Sequence, residues 1–137
     1  MTTPTTELKP LPKPLSNRDF DFFYRGLEDR QLLVQRCDHC GALRNPPGPM
    51  CPHCHSLEWT PLACEGRGTV YSFTVHHHPK LPSFETPHTI ALVEMAEGFR
   101  LLGVLEGTTP ETLKIGLPVR TEFLRRGDTA TYVFRPA

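Results

Sequence analysis

The sequence has no excess of charge of either sign. Its 137 residues hold 15 basic and 15 acidic side chains, so the formal net charge is zero. A neutral chain gives no support for binding to the nucleic-acid backbone or to an anionic membrane. No apolar run reaches the length needed to span a bilayer, and residues 1–6 lack the basic and apolar regions of a signal peptide. We therefore expect no membrane partner and a cytoplasmic location.

Motifs of common catalytic sites are also absent from the sequence. There is no Gly-x-Ser-x-Gly elbow, no Walker loop and no Gly-x-Gly-x-x-Gly. Gly66-Arg67-Gly68 precedes strand-like residues and is interpreted as a barrel bend. Cys64 could in principle be a thiolase-like nucleophile, but no base is paired with it in the sequence, so we interpret it as a structural thiol. Catalytic groups are therefore expected from a partner.

Two C-x-x-C pairs are the most informative feature that is present. Each pair can form a tight knuckle that directs two sulfurs at one centre, and two knuckles supply the tetrahedral thiolate set that Zn²⁺ prefers. Gly41 follows the first pair and His55 follows the second, at a position that commonly requires a positive φ. We predict that a structural zinc ion is held by Cys37, Cys40, Cys51 and Cys54.

Other uses of C-x-x-C are less consistent with this sequence. A redox site needs one pair and usually opens a helix, whereas Cys37 follows the apolar run Leu32-Leu33-Val34 and Cys51 follows a proline-rich turn. The odd total of five cysteines also argues against disulfides and agrees with a reducing compartment. Iron in the same four-sulfur cage remains an alternative to zinc. Four protein ligands leave no open coordination position, so the metal is expected to support structure and not hydrolysis.

The chain is expected to have four parts. Residues 1–16 are rich in proline and threonine and are predicted to form a flexible leader, followed at 17–35 by an amphipathic helix and a lead-in strand. The helix is expected to begin with Asn17 as its N-cap and to end between Gly26 and Arg30. Residues 36–59 are assigned to the zinc ribbon and 60–137 to a β-barrel.

Apolar residues recur with a period of two in the C-terminal half of the chain. This alternation predicts five strands, with glycine and proline between them, over residues 69–75, 89–95, 99–105, 119–124 and 129–134. Five short strands are typical of an OB-fold. The predicted fold class is therefore mainly β, with a short N-terminal helix, a zinc ribbon and a C-terminal five-stranded OB-fold barrel.

The order of several motifs resembles the DUF35 family. They are Phe23-Tyr24-Arg25-Gly26-Leu27, Leu32 to Cys37 with the two knuckles, Gly66 to Val75, Ile90 to Glu94, Lys114 to Val119 and Phe134-Arg135-Pro136. The resemblance covers the chain from about residue 20 onward. It implies an N-terminal helix, a rubredoxin-like zinc ribbon and an OB-fold. It also implies a non-catalytic accessory subunit of a thiolase-like or lipid-transfer-type enzyme that acts on acyl-CoA thioesters, in one branch of the family during steroid side-chain degradation.

The histidines at 76–78 lie in a long loop between two predicted strands. They could line a substrate tunnel, donate hydrogen bonds to CoA phosphates or bind a second metal, although we favour a solvated polar loop and assign no metal to it. Basic side chains near the loops could also contact CoA. The candidate acyl-CoA or tunnel contacts are Arg67, His76, His78, Lys80 and Arg100.

Four aromatic residues lie in the predicted helix, and we hypothesise that this helix, residues 17–30, docks the enzyme partner. Aromatic side chains supply much of the binding energy of protein interfaces. Three of the four can face the chain's own barrel or ribbon, whereas Phe22 falls on another side and would be exposed or covered by a second protein. The candidate interface comprises Phe20, Phe22, Phe23 and Tyr24.

A single-stranded nucleic-acid-binding module is the alternative function, because zinc ribbons and OB-folds both occur in such proteins. Tyr71 and Phe73 are two residues apart on one strand and could stack on bases. Seven glutamates between residues 65 and 122 oppose a continuous basic groove around the barrel. We therefore interpret Tyr71 and Phe73 as barrel core and regard nucleic acid as the less favoured partner.

Overall fold

A computed structural model describes residues 9–137, so half of the predicted leader lies outside the described residues. In the described part of the chain, no helix is long and apolar enough to cross a membrane. One helix and eight strands follow in chain order: α1 Asp21–Glu28, β1 Leu32–Cys37, β2 Leu43–Arg44, β3 Trp59–Cys64, β4 Arg67–His76, β5 His88–Met95, β6 Arg100–Leu105, β7 Pro118–Arg126 and β8 Thr129–Pro136.

Helix α1 begins later than the sequence predicted, and the assignment of Asn17 as its N-cap is wrong. Phe20 occupies the cap position without a side-chain hydrogen bond. The side-chain Oδ1 of Asn17 instead accepts a hydrogen bond from the backbone N–H of Asp19, at 2.9 Å. Its carbonyl accepts from the N–H of Asp21, also at 2.9 Å. Because Asn17 closes this local turn, its side chain is not available to the first helical N–H groups.

The buried side of α1 packs on the sheet and on the barrel. Gly26 and Leu27 are buried, and a Cβ at Gly26 would lie 2.8 Å from Cδ1 of Leu33 and 3.0 Å from the carbonyl oxygen of Gln31, so a larger residue would force these neighbours to shift. Phe23 makes an edge-to-face contact with Tyr132 of β8, with ring centroids 6.0 Å apart. The helix therefore connects β1 to the barrel.

A three-stranded antiparallel sheet, in the order β2-β1-β3, carries the two cysteine knuckles. Strand β1 lies in the middle and pairs with β3 over its whole length, from Leu32 opposite Cys64 to Cys37 opposite Trp59. The sheet thus extends beyond residues 36–59, the span assigned to the ribbon from the sequence, and takes in the lead-in strand.

The remaining five strands form a closed barrel in the order β4-β5-β6-β8-β7, which confirms the predicted OB-like architecture. Its core comprises apolar side chains from the barrel strands and the turn before β6, and it is continuous with buried residues of α1 and β1. The members of this cluster are Leu27, Leu32, Val34, Val70, Ala91, Val93, Met95, Phe99, Leu101, Leu105, Val119 and Phe134. Each barrel strand pairs with two neighbours over at least part of its length.

Tyr71 and Phe73 do not belong to the barrel core, so the interpretation drawn from the period-two pattern is wrong. The two side chains are 44% and 37% exposed. Strand β7 pairs with β4 only from Arg67 to Thr69, so beyond that point no strand of residues 9–137 lies along this side of β4, and only β5 pairs with it. A register shift at Tyr71 also interrupts the alternation. The sequence pattern identified the strand correctly but could not show that its neighbour ends early.

Residues 9–14 of the predicted leader lie against the barrel. Nε of Arg126 donates a hydrogen bond to the carbonyl of Lys9 at 2.8 Å, and its guanidinium also donates to the carbonyl of Ser83. The hydroxyl of Thr129 donates to the carbonyl of Leu11 at 3.3 Å. Arg126 therefore connects the leader, the loop before β5 and strand β7.

Candidate metal centre

Four cysteine sulfurs come together at one end of the β2-β1-β3 sheet. All four Sγ atoms lie within 4.8 Å of one another. The Sγ atoms of Cys37 and Cys54 are 3.5 Å apart, and those of Cys40 and Cys51 are 3.6 Å apart. A tetrahedral site with Zn–S bonds of about 2.3 Å requires sulfurs about 3.8 Å apart. The four sulfurs are therefore near enough to one another to hold a four-coordinate metal.

The two knuckles have the same backbone structure although their sequences differ. In the first, the N–H of Gly41 donates to the carbonyl of Cys37 at 3.0 Å. In the second, the N–H of His55 donates to the carbonyl of Cys51 at 2.9 Å. Gly41 has φ 76° and His55 has φ 64°, which confirms the positive φ expected at both positions. Histidine accepts this conformation better than β-branched residues do.

Hydrogen bonds inside the knuckles prepare one sulfur of each pair for ionisation. Backbone N–H groups, first that of Cys40, lower the pKa of Cys37 from 9.0 to about 6 against the opposing effect of burial. The backbone N–H of Cys54 lowers the pKa of Cys51 in the same way. Although the N–H of Ser56 favours a Cys54 thiolate, burial and the neighbouring sulfurs raise the pKa of Cys54 to about 12. Close thiolates repel, so a cation is needed to hold all four.

The fifth cysteine is not poised for nucleophilic chemistry. Burial, with a smaller effect of the Glu97 carboxylate, raises the pKa of Cys64 to about 12. Its thiol donates to the carbonyl of Leu62 at 3.6 Å. A protonated thiol is a poor nucleophile. These contacts agree with the structural interpretation of Cys64.

The five candidate acyl-CoA contacts are spread along strand β4 and its neighbours and do not converge on one pocket. Arg67 begins β4 and His76 ends it, nine residues or about 30 Å away. His78 and Lys80 are exposed beyond His76. Arg100 lies at the start of β6, with its guanidinium carbon 3.6 Å from the centroid of the Tyr71 ring.

The histidine loop contains a stack of rings that sequence reasoning did not find. The rings of His76 and His88 are 4.9 Å apart, Phe84 stacks on His88 at 5.2 Å, and Arg126 lies over Phe84. The stack borders a cavity of about 460 Å³ that Leu11 and Tyr132 also line. His76 and His88 each hydrogen-bond a loop carbonyl, of Pro79 and Glu85 respectively. The spacing of His76 and His88 gave no signal of this contact, because it depends on the β4–β5 pairing.

The four aromatic residues of the candidate partner interface are each partly buried within the chain itself. Phe20 stacks on Tyr24, and Phe23 contacts both Tyr24 and the barrel. Phe22, expected to be exposed or covered by a second protein, packs on Trp59 of β3 with ring centroids 4.8 Å apart. That expectation is corrected: the chain's own ribbon covers part of Phe22.

Two family models match most of the chain. Residues 25–60 match the rubredoxin-like zinc ribbon domain of ChsH2, and residues 62–124 match its C-terminal OB-fold domain. Among solved structures, the chain is similar to one described as Ltp2-ChsH2(DUF35) aldolase. The TM-score is 0.85 and the identity 45%, with 90% of this chain and 98% of that chain covered.

Curated relatives are named as subunits of acyl-CoA enzymes. A probable enoyl-CoA hydratase alpha subunit of Thermomonospora curvata is 46% identical over 98% of this chain and 44% of its own length. A 3-oxo-4,17-pregnadiene-20-carboxyl-CoA hydratase alpha subunit of Mycobacterium tuberculosis is 42% identical over 90% of this chain and 40% of its own. The benzoylsuccinyl-CoA thiolase subunit BbsA of Thauera aromatica is 29% identical over 74% and 75% of the two chains. The chain spans less than half the length of the two hydratase subunits.

Proposed function

Because the chain belongs to the DUF35 family, we propose that it is a non-catalytic accessory subunit of a thiolase-like enzyme that acts on acyl-CoA thioesters. The observation that carries this proposal is the similarity to the DUF35 chain of an aldolase over 98% of that chain. The names of the three curated relatives agree with an acyl-CoA thioester as substrate. The hydratase subunit from Mycobacterium tuberculosis makes a steroid side chain one candidate for the acyl group.

The chemistry of the described residues agrees with an accessory role in the complex and not with a catalytic one. Four thiolates would complete the coordination of a bound metal, so the site offers no position for a substrate or an activated water. Burial raises the pKa of Cys64, so its thiol is ionised even less at neutral pH than that of an ordinary cysteine. In this proposal the chain stabilises the partner and shapes the entrance for the acyl-CoA, and the partner supplies the catalytic groups.

Zinc is the metal that we propose for the four-cysteine site, and iron is the alternative. Zinc suits a structural Cys₄ site because it has no redox chemistry and accepts a tetrahedral thiolate cage. A bound metal would hold the two knuckles together, and reduced thiols in the cytoplasm would keep its ligands available. Metal analysis of the isolated protein, together with its visible absorption, distinguishes colourless zinc from coloured iron.

Isolation of the tagged chain from its own cells tests the proposed function. Under gentle conditions we expect a thiolase-like subunit to co-purify at a constant ratio and to be identified by mass spectrometry. Recovery of the chain without a protein partner would contradict the proposal. Recovery with single-stranded nucleic acid, lost steeply as the salt concentration rises, would favour the alternative function. The relatives named above are enzyme subunits and give that alternative no support.

A further inference from the structure

Strand β4 has a free edge over its C-terminal half, which we define as Tyr71–His76. Strand β5 pairs with β4 as far as His76 opposite His88. On the other side, pairing with β7 ends at Thr69, and Val70 makes the last backbone hydrogen bonds, with Gly116 and Leu117. Among residues 9–137, no backbone group bonds to the outer side of the free edge. Alternate N–H and C=O groups there point away from β5.

The free edge lacks the features that usually prevent a strand from pairing with another chain. Proteins protect exposed edges with proline, lysine, inward-pointing charges or a covering loop. Residues 71–75 contain neither proline nor any charged side chain, and all five are exposed. Tyr71, Phe73 and Val75 instead present apolar surface, and their exposed fractions lie between 37% and 44%. The edge is therefore chemically suited to accept a further strand.

The charges around the free edge indicate the kind of strand that fits it. Between Glu65 and Glu85 the sequence contains no acidic residue. Exposed basic or titratable groups flank both ends of the free edge. Arg67 and Arg100 lie near its start, and His77, His78 and Lys80 follow its end. A partner strand with apolar residues in its middle and acidic residues beside them would match both the surface and the charge.

A second copy of the chain matches this edge less well. Antiparallel pairing of two β4 strands about Phe73 would bring Arg67 of one copy towards Lys80 of the other. Like charges placed opposite one another destabilise a strand pair. Complementarity therefore favours an acidic partner strand over self-association.

We propose that the free edge of β4 accepts an extended segment of the enzyme partner, which adds a strand to the barrel sheet. The segment has apolar side chains that contact Phe73 and Val75 and acidic side chains that face the flanking cations. This assignment rests on the proposed function, and it identifies the surface on which the enzyme partner docks. It replaces helix 17–30 as the main docking element, because the aromatic residues of that helix already have contacts within the chain.

Hydrogen exchange in the isolated complex tests the assignment. The probe is the thiolase-like subunit identified by co-purification, and exchange is followed by mass spectrometry in the chain alone and in the complex. The amides of residues 71–76 that point away from β5 are expected to exchange at least about tenfold more slowly in the complex, because newly formed strand hydrogen bonds protect them. A complex that protects only residues 17–30 would overturn the assignment but leave the proposed function intact. Failure to isolate any thiolase-like subunit would contradict both the assignment of the β4 edge and the proposed function.

Introduction of a negative charge at the free edge supplies an independent test with a matched control. Phe73→Glu removes apolar contact and adds repulsion towards acidic residues, so we expect at least a tenfold weaker Kd for the partner subunit. Leu102→Glu makes a similar change at an exposed apolar residue two strands away on β6, about 10 Å from β4, and should alter Kd by less than twofold.

Two further measurements keep this test decisive. Circular dichroism and metal content establish that each variant is folded, and Val75→Glu, near the end of the strand, replaces Phe73→Glu if the latter fails to fold. An unchanged Kd in a folded edge variant would overturn the assignment. Self-association by light scattering, with protection of residues 71–76 in the absence of the partner, would show that a second copy is the occupant and would also overturn it.

Discussion

Two single residues show how the metal site is prepared by the backbone. Gly41 and His55 both have positive φ, and each lets its knuckle turn so that N–H groups point at a sulfur. The thiols that receive these hydrogen bonds, Cys37 and Cys51, are the two whose pKa values fall. Both are buried, whereas Cys40 is exposed. Each knuckle thus contributes one sulfur that ionises readily.

Metal affinity is expected to depend on pH more steeply below about pH 6. The pKa of Cys37 is lowered in the folded chain from 9.0 to about 6, so its favourable contribution to the folded state is complete above about pH 9 and is lost as pH falls through about 6. Cys54, with its pKa raised to about 12, must release a proton to bind metal at any pH in this range. Each thiol that must release a proton on binding weakens metal affinity by about tenfold for every unit by which the pH falls.

Competition with a chromophoric zinc chelator between pH 5 and 8 measures this dependence. The slope of log Kd against pH should increase in magnitude below about pH 6, where Cys37 also becomes protonated in the metal-free chain. A constant slope throughout the range would contradict the assignment of a lowered pKa to Cys37.

At the scale of single elements, β4 is the strand that shapes the barrel. It spans ten residues, pairs with both neighbours at its start and with β5 alone at its end. Its glycine at position 68 lies directly beneath β5: a Cβ there would be 2.4 Å from the backbone oxygen of Glu94 and 2.6 Å from Val93. Closure of the barrel therefore depends on the absence of a side chain at this position.

Gly68→Ala should destabilise the protein by about 2 kcal/mol or more, because the backbone atoms that it meets cannot move aside cheaply. The measurement is the free energy of unfolding in urea. Gly48→Ala is the matched control, since a Cβ at Gly48 would meet no heavy atom of residues 9–137 within 4 Å and its φ is not in the left-handed region. A Gly68→Ala variant as stable as the control would show that β4 and β5 are less closely packed than described here.

The elements differ in how far the sequence predicts them. Alternation located the five barrel strands because each buries one face, and cysteine spacing located both knuckles because metal geometry constrains them. Strand β3 was missed because Pro61 argues against a strand in the sequence and because its pairing with β1 links distant residues. The exposure of Phe73 was missed for a similar reason, because it depends on where β7 leaves β4. The ring stack of Phe84, His88 and Arg126 likewise depends on long-range contacts.

At the scale of the whole molecule, the ribbon and the barrel share buried contacts. Leu27, Leu32 and Val34 belong to the same apolar cluster as the barrel residues. The side-chain amide of Asn45, beside the second strand of the ribbon, donates to the carbonyl of Arg100 in the barrel at 2.6 Å. The ribbon itself buries few apolar side chains around the knuckles, since Cys37 and Cys51 are the buried apolar residues between Val34 and Val70. Its folding should therefore depend on the metal, whereas the barrel has a core of its own.

Cys51→Ser tests this division of stability. The variant loses a ligand that is fully buried, so metal content should fall from one ion per chain to below about a tenth. A structural zinc site in a small module contributes about 10 kcal/mol or more at neutral pH, so its loss should unfold the ribbon. Cys64→Ser is the matched control, because Cys64 lies outside the metal cluster, and this variant should keep its metal.

Hydrogen exchange resolves where Cys51→Ser acts. Amides of β1, β2 and β3 should exchange rapidly, while those of β5, β6 and β8 should stay protected because most of the apolar cluster lies in the barrel. Loss of protection throughout residues 67–136 would show that the barrel cannot fold without the ribbon. Retention of protection in β1–β3 would show that the metal is not what folds the ribbon. Loss of protection in β1–β3 alone would mean that the bound metal is needed to fold the ribbon. The β4 edge, which is proposed to bind the enzyme partner, would then stay folded without the metal.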